Sequence, residues 1–336
     1  MRIIGLTESP HHVSGRYRIE AFQPYVERKG HTLDIEPIPQ SFWARMALWS
    51  NLRHYDVVIL QRRLLSAWHL FHLRRHAKRL IYDFDDAVYQ HDSYSGKGSD
   101  STTRRRRFIR TMHAADSVFA GNLTLQHEAF RFADPKQVHL VPTCLEPNRY
   151  PMAEHRHRGK GTLLVWIGSS STLQGLAQKA SLWNGIGKML PGLGFKVICD
   201  KFPRLGHMPV LKARWNLATE AEELATSDIG ISYVPDDNWS RGKCGLKILQ
   251  YMAAGLPIVA NPVGVQAELV RHGRTGFLVN KPGHWLEAIR TLAYQPELRR
   301  KMGLEARRLV ERDFSVAKMA QRWLPLVLGR RISLAA

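Results

Sequence analysis

The sequence predicts an α/β protein with two doubly wound parallel sheets, one in each half of the chain. Three observations carry this. Short apolar runs alternate with helix-length runs from Arg2 onward. The alternation stops at residues 142–161, a stretch with three prolines and two glycines and no apolar period, and restarts at Leu163. The strongest βα punctuation then falls in residues 239–279, WSRGKCGLKILQYMAAGLPIVANPVGVQAELVRHGRTGFLV. There a glycine-bearing turn opens a helix over Leu246–Ala254, Gly255 takes the left-handed position that ends it, and Pro257–Ala260 follows as a buried strand.

In the first half the expected strands are Arg2–Leu6, Leu33–Glu36, Asp56–Leu60, Leu80–Tyr82, Ser117–Ala120 and Val138–Val141. Helices are expected over Arg16–Lys29, Leu64–Lys78, Arg104–Ala114 and Leu123–Phe132, and Phe42–Asn51 is a Trp-rich amphipathic piece. The Ser/Gly/Asp-rich residues 90–103 show no apolar period and read as a loop. In the second half the strands are Leu163–Ile167, Phe195–Cys199, Ile229–Tyr233, Pro257–Ala260 and Gly276–Val279. Helices are expected over Leu173–Leu190 and Glu220–Ala225, and residues 285–328 read as helical throughout. The domains expected are 1–150, a linker over 151–161, a second domain over 162–314, and a C-terminal helix in 315–336.

Composition narrows the function classes. The 336 residues are 44% hydrophobic, enough for real cores and too much for a disordered chain. MRIIGL begins as a strand, so no secretory signal is expected, and no apolar run approaches the ~20 residues of a membrane helix. Cys144, Cys199 and Cys244 form no CxxC or Cys/His ligand pattern, which suits a reduced, cytoplasmic setting. The net charge of +20 is spread along the chain, with peaks at residues 74–79, at Arg104–Arg107 and in the tail. Such a surface draws anionic lipid headgroups or an anionic substrate, or simply stays solvated. Nucleic acid is set aside because no recognisable binding module accompanies the charge.

In open α/β sheets ligands sit beyond the carboxyl ends of the strands. Those ends carry Thr7–Gly15, Gln61–Arg63, Asp83–Asp86, Gly168–Thr172, Pro235–Gly245 and Asn261–Gly264. Gly168, Ser169, Ser170, Ser171 and Thr172 join a strand to a helix, with small residues, hydroxyls and N–H groups suited to phosphate oxygens; taken alone they favour an ordinary capped turn. Lys243 and Lys247 are four apart, on one helix face, and lysine suits a diphosphate as a point charge. Asp83, Asp85 and Asp86 crowd one strand end, so they must meet a cation, orient an acceptor hydroxyl or cap a helix. The candidate cations are a divalent metal on two of the aspartates or the arginines Arg16, Arg18 and Arg62; Gly15, beside the first two in SGRYR, admits close approach.

The block GKCGLKILQYMAAGLPIVANPVG…ELVRHGRTGFLV resembles the donor-binding core of GT-B glycosyltransferases, specifically family 4, the glycosyl transferases group 1. SGRYR, DVVILQR, IYDFDDAVY, ADSVFAGN, VHLVPT, VWIGSSST and SDIGISYVP support it in order along the chain. The resemblance implies two Rossmann-like domains facing a cleft, a nucleotide-sugar in the second and the acceptor in the first. It implies a last helix that crosses back to the first domain. It also implies transfer with retention, no metal and no cofactor, with the leaving diphosphate taking the acceptor proton. On this reading Lys243 and Asp86 are catalytic, and Gly168–Thr172, Gly242, Lys247 and Gln250 hold the donor. Gly15, Arg16, Arg18, Arg62, Asp83 and Asp85 hold a glycan or lipid-linked acceptor. The expected setting is cell-envelope polysaccharide synthesis in the cytoplasm, with peripheral contact with an anionic membrane through basic, Trp-bearing segments such as residues 42–53.

The chain departs from the family at four positions. Two glutamates eight apart are replaced by Gly242 and Gln250, and an Arg and a Lys of the diphosphate site by Ser169 and Gln174. Lys243 is expected to supply the missing charge; a GT-B protein that binds nucleotide or glycan without turnover is the alternative.

Overall fold

The computed structural model describes residues 1–10, 12–96, 98–156, 159 and 161–329. Residues 157, 158 and 160 of the expected linker and 330–336 of the expected C-terminal segment lie outside the described residues. The chain forms two compact units. Among the described residues, unit 1 contains those of 1–145, 237–244 and 316–329, and unit 2 those of 146–236 and 245–315.

Unit 1 is built on a six-stranded, all-parallel sheet. Its strands are β1 (Arg2–Thr7), β2 (Thr32–Pro37), β3 (Val57–Gln61), β4 (Leu80–Phe84), β5 (Ser117–Ala120) and β6 (Val138–Leu140), in the order β2-β1-β3-β4-β5-β6. β3, β4 and β5 are buried on both faces, which explains their unbroken apolar runs. The order reverses between β1 and β3, so the loops after these two strands define a switch point.

The helix expected over Arg16–Lys29 is interrupted. Val13–Arg18 and Gln23–Glu27 are α-helical, with a 3-10 turn at Glu20–Phe22 between them. Ile19 leaves the helical region at φ −130°, and Pro24 restarts the helix in its first turn, where its missing N–H costs nothing. The C-terminal helix Val316–Val327 also belongs to unit 1. Its Trp323 stacks on Phe22 at 4.5 Å, and Arg79 donates to the carbonyls of Val327 and Leu326 at 2.6 and 2.9 Å. The last orphan carbonyls of that helix are thereby satisfied.

Unit 2 has its own six-stranded parallel sheet. Its strands are β7 (Leu163–Ile167), β8 (Gly194–Cys199), β9 (Val210–Arg214), β10 (Ile229–Ser232), β11 (Ile258–Ala260) and β12 (Gly276–Leu278), in the order β12-β11-β10-β7-β8-β9. Its first strand, β7, lies inside the sheet, and the switch point falls between β7 and β10, as in dinucleotide-binding sheets. β9 had no counterpart among the expected strands. It is a half-exposed edge strand, and its pattern VLKAR lacks the apolar run that marked the others.

Three further differences have local causes. The helix expected over Leu173–Leu190 divides at Lys179, whose φ −103° and ψ 19° interrupt it between Ser170–Ala177 and Ala180–Met189. Residues 285–328 form three helices, the second opening with Pro296 at its first position and the last belonging to unit 1. Residues 151–156, expected as part of a linker, are packed within unit 2: Ala153 donates to the Ala254 carbonyl at 2.9 Å, and buried His155 bonds the Gly255 carbonyl at 2.8 Å. Gly255 has the expected left-handed φ of 67°, and its N–H and that of Leu256 close a Schellman motif on Met252 and Tyr251.

A buried ion pair joins the rim of unit 2 to its sheet. Arg299 meets Asp228 at 3.3 Å, and Asp228 also accepts from the Leu163 N–H at 2.9 Å, fixing the start of β7. Both side chains are at most 2% exposed. Arg299→Met therefore leaves a carboxylate buried without its cation and should cost about 3–5 kcal/mol in denaturant unfolding. Unfolding like that of the wild type would show that the pair is dispensable.

Candidate active site

The switch point of unit 1 gathers the charged residues singled out in the sequence. Arg18, on the helix Val13–Arg18, reaches under the sheet end to Asp83, the fourth residue of β4. Its Nε donates to both carboxylate oxygens at 3.1 and 2.8 Å, Nη2 donates to Oδ1 at 2.6 Å, and Nη1 donates to the Val141 carbonyl at 2.7 Å. Both side chains are at most 2% exposed. Burial works against the charge on Arg18, but Asp83 outweighs it and holds the guanidinium above its ordinary value. Arg18 and Asp83 are therefore bonded to each other inside the unit, and their bonding atoms face away from solvent.

Arg62 follows β3 directly and has a left-handed φ of 59°, unusual for a side chain of its size. The conformation is held from several sides. Its N–H donates to the Asp83 carbonyl at 2.8 Å, and its own carbonyl accepts from the Tyr82 hydroxyl at 3.1 Å. Its guanidinium donates to Ser14 Oγ at 2.9 Å and to Asp85 Oδ1 and Asp86 Oδ2, each at 3.3 Å. Such strain persists where the surroundings over-determine it. Burial alone would raise the Asp85 carboxyl; Arg62, then Arg18 and a hydrogen bond from Ser14, hold it below the usual carboxylate range.

Asp86 links this cluster to Lys243. Its Oδ2, already bonded to Arg62, accepts from Lys243 Nζ at 3.0 Å, while its Oδ1 accepts from the Ala87 N–H. The Lys243 ammonium lies 3.3 Å from the centroid of the Trp239 ring, a close cation–π contact. Asn122 donates to the carbonyls of Lys243 and Arg241 at 2.9 and 3.3 Å, holding the stretch of chain that carries the lysine. Segment 237–244 thus packs as part of unit 1, through Asn122, Asp86 and the apolar contacts of Trp239 and Cys244. The sequence had placed it with the rest of residues 239–279. A short helix, Asn238–Arg241, capped by Asp237, instead sets it apart from the helix Leu246–Ala253 of unit 2.

Gly242 explains one of the departures. A Cβ there would lie 2.8 Å from the Ala87 Cβ and 2.9 Å from its backbone nitrogen, so the chain approaches too closely for a glutamate. Gly15 is buried beside Thr7, where a Cβ would come within 3.1 Å, so glycine lets the helix approach β1. Arg16 lies over the Tyr17 ring and lines a cavity of about 520 Å³ with His12, Glu20, Asp34 and Tyr55 at the ends of β1 and β2.

In unit 2 the turn after β7 is capped from within. Ser170 donates its N–H to Asp200 Oδ1 at 2.9 Å, Ser169 and Ser171 hydroxyls bond each other at 2.8 Å, and the Thr172 hydroxyl donates to the Ser169 carbonyl at 3.1 Å. Gly168 is packed against Trp166 and Thr172, where a Cβ would collide. Lys247 places its ammonium 4.2 Å from the Trp166 ring centroid. Gln250 is 4% exposed and donates to the Tyr150 hydroxyl at 3.3 Å.

The structure thus joins Arg18 to Asp83, and Arg62 to Asp85, Asp86 and Lys243, within unit 1. It leaves Gly168–Thr172, Lys247 and Gln250 in unit 2. Sequence reading missed Ser14, Asn122, Trp239, Tyr150 and Asp200. Asp200 was findable, because a carboxylate directly after β8 sits at the strand end beside β7. Among the described residues no group of three or more His, Cys, Asp or Glu side chains is arranged to hold a metal ion.

Residues 213–295 match the family model described as Glycosyl transferases group 1. That segment is similar to the family, and the two-sheet architecture is that of the GT-B fold. A trehalose synthase from Pyrococcus horikoshii is 30% identical over 83 residues, which span 25% of this chain and 20% of that protein. The Anabaena protein Alr3699/HepE, solved with UDP and glucose, superposes with a TM-score of 0.71 at 15% identity, over 98% of this chain and 100% of that one. Sucrose-phosphate synthase from Thermosynechococcus elongatus gives a TM-score of 0.75 at 14% identity, over 98% of both chains.

Arg62 contributes to the acid behaviour of unit 1 through Asp85 and His12. Asp85 has a lower pKa folded than unfolded, so it stabilises unit 1 above the ordinary carboxylate range, and that contribution is lost as pH falls through the folded value. His12 is lowered by burial and then by Arg62, so it too favours unfolding as pH falls. Arg62→Met should cost about 3 kcal/mol at neutral pH and move the acid-unfolding midpoint of unit 1 to higher pH. Circular dichroism against pH checks this; an unchanged midpoint would remove Arg62 from that role.

Proposed function

We propose that the protein is a glycosyltransferase that moves a sugar from a nucleotide-sugar, with retention and without a metal, to a glycan or lipid-linked acceptor of cell-envelope or polysaccharide synthesis in the cytoplasm. The observation that carries this reading is the position of the group 1 match. It covers the segment with Gly242, Lys243, Lys247 and Gln250, which follows the switch strand β10 of a sheet ordered like dinucleotide-binding ones. The Anabaena protein's complexes with UDP and UDP-glucose support a uridine nucleotide as the first donor to try.

On this reading the bond from the sugar's anomeric carbon to the diphosphate breaks, the acceptor oxygen bonds that carbon, and the acceptor proton passes to a leaving diphosphate oxygen. The protein supplies position and charge. Lys243 exchanges its bond to Asp86 for the diphosphate, and Trp239 steadies the ammonium meanwhile. Asp86, released from the lysine and still bonded to Arg62, accepts a hydrogen bond from the acceptor. The Gly168–Thr172 turn, Lys247 and Gln250 hold the nucleotide. Arg16 and the cavity beside it are open to the acceptor, while Arg18 and Asp83 act from within by shaping the strand end.

A second reading has an observation of its own. Gly242 excludes the glutamate of the family, and Asp200 caps the Ser170 N–H that would meet a phosphate. A protein that binds nucleotide without turnover would show this pattern. Lys243→Ala should lower sugar transfer from the best donor about 100-fold or more while the variant keeps a folded circular dichroism spectrum. Asp86→Asn should impair acceptor use more than donor binding. Wild-type turnover by the lysine variant would discard the proposed charge role, and binding without transfer across a broad acceptor panel would favour the second reading.

A further inference from the structure

Unit 1 carries a surface that the transfer reaction does not use. Two helices, Phe42–Asn51 and Ala67–His76, pack side by side, and the second also packs against the helix Thr102–Ala114. Four large aromatic side chains on the first two stand in solvent. Trp43 is 80% exposed, Phe71 60%, and Phe42 and Trp68 46% each. They are contiguous: Phe42 stacks on Trp68 at 5.3 Å, Trp43 meets the Phe42 ring edge-on at 5.3 Å, and Trp68 lies 4.1 Å from His72, which meets Phe71 edge-on at 5.5 Å. Isolated exposed apolar residues need no explanation, but a joined aromatic patch does.

The charge around the patch is one-sided. None of the three helices contains an aspartate or glutamate, and Asp56 is the one acidic residue between Glu36 and Asp83. Arg75 and Lys78 are exposed near Phe71 in the chain, and Thr102–Ala114 presents exposed Arg104, Arg106 and Arg110. Trp and Phe with basic neighbours, on helices that do not cross a bilayer, suit the headgroup layer, where an amphipathic ring meets lipid and a cation meets phosphate. No helix among the described residues is long and apolar enough to span a membrane. Nucleic acid fits less well, since stacked bases need free ring faces, and Phe42 and Trp68 turn theirs to each other.

We infer that this three-helix face docks unit 1 on an anionic bilayer surface, Trp43 and Phe71 entering the headgroup layer and the arginines meeting lipid phosphates. The inference deepens the proposed function and rests on it for the acceptor, because a lipid-linked acceptor is met at such a surface, yet it can be tested without turnover. The full chain would be co-sedimented with vesicles of phosphatidylcholine alone and with a third phosphatidylglycerol, at low and high salt. Binding should appear with phosphatidylglycerol, be about tenfold or more weaker without it, and fall with salt. The double variant Trp43→Ala/Phe71→Ala should lose about tenfold in binding while melting like wild type, because both side chains stand in solvent. Arg75→Glu/Arg106→Glu should abolish the preference for the anionic lipid.

Absence of binding to either vesicle, or equal binding by the aromatic variant, would overturn the inference, as would single-stranded oligonucleotide that binds this face more tightly than the vesicles. Transfer to a water-soluble acceptor analogue, measured in parallel, separates the two claims. Vesicle binding without transfer overturns the enzyme reading alone, and transfer without vesicle binding overturns the docking face alone.

Discussion

Unit 1 depends at its loop end on charge neutralisation in a place that water barely reaches. Three aspartates leave β4 within four residues, and each has a cation supplied from elsewhere in the chain: Arg18 for Asp83, Arg62 for Asp85, and Arg62 with Lys243 for Asp86. Without those cations the carboxylates would repel one another and resist burial. The rest of the unit can be read from this requirement. The first helix ends where Arg18 must turn inward, Arg62 accepts a left-handed backbone to face two carboxylates, and segment 237–244 leaves its sequence neighbours to bring Lys243 to Asp86.

This arrangement gives the cations different roles. Arg18 is sealed, bonded at every terminal nitrogen, and serves as a strut. Lys243 is the opposite case. It is about a quarter exposed, bound by one oxygen that it shares with Arg62, and backed by an indole ring. An ammonium so held can exchange a carboxylate for a phosphate at modest cost, because the competing contact is single and solvent-touched. The same chain keeps Gly242 against Ala87, so the position that carries a glutamate in the resembled family is here a point of close backbone approach.

Most of the fold was legible in the sequence because parallel strands buried on both faces leave apolar runs, as in VVILQ of β3 and LLVWI of β7. β9 was not, since an edge strand with partial exposure resembles a loop. The breaks at Ile19 and Lys179 were also hidden, because the hydrophobic pattern runs on through them while the backbone does not. At the site, the identity of the charged residues was visible but their pairing was not. Arg18 and Asp83 are 65 residues apart, and Lys243 and Asp86 are 157 apart. Spacing carries no information at such range; only the fold brings these partners to one end of the sheet.

The central claim is that this chain binds a nucleotide-sugar through the group 1 segment, and thermal-shift measurement against UDP-, GDP-, ADP- and dTDP-sugars tests it most directly. A ligand that binds the native state alone stabilises it by about 2.7 kcal/mol at a hundredfold excess over its dissociation constant. One nucleotide class should raise the melting temperature, and Lys243→Ala should reduce the rise. No rise with any of the four at millimolar concentration, or a rise unchanged in the lysine variant, would contradict it.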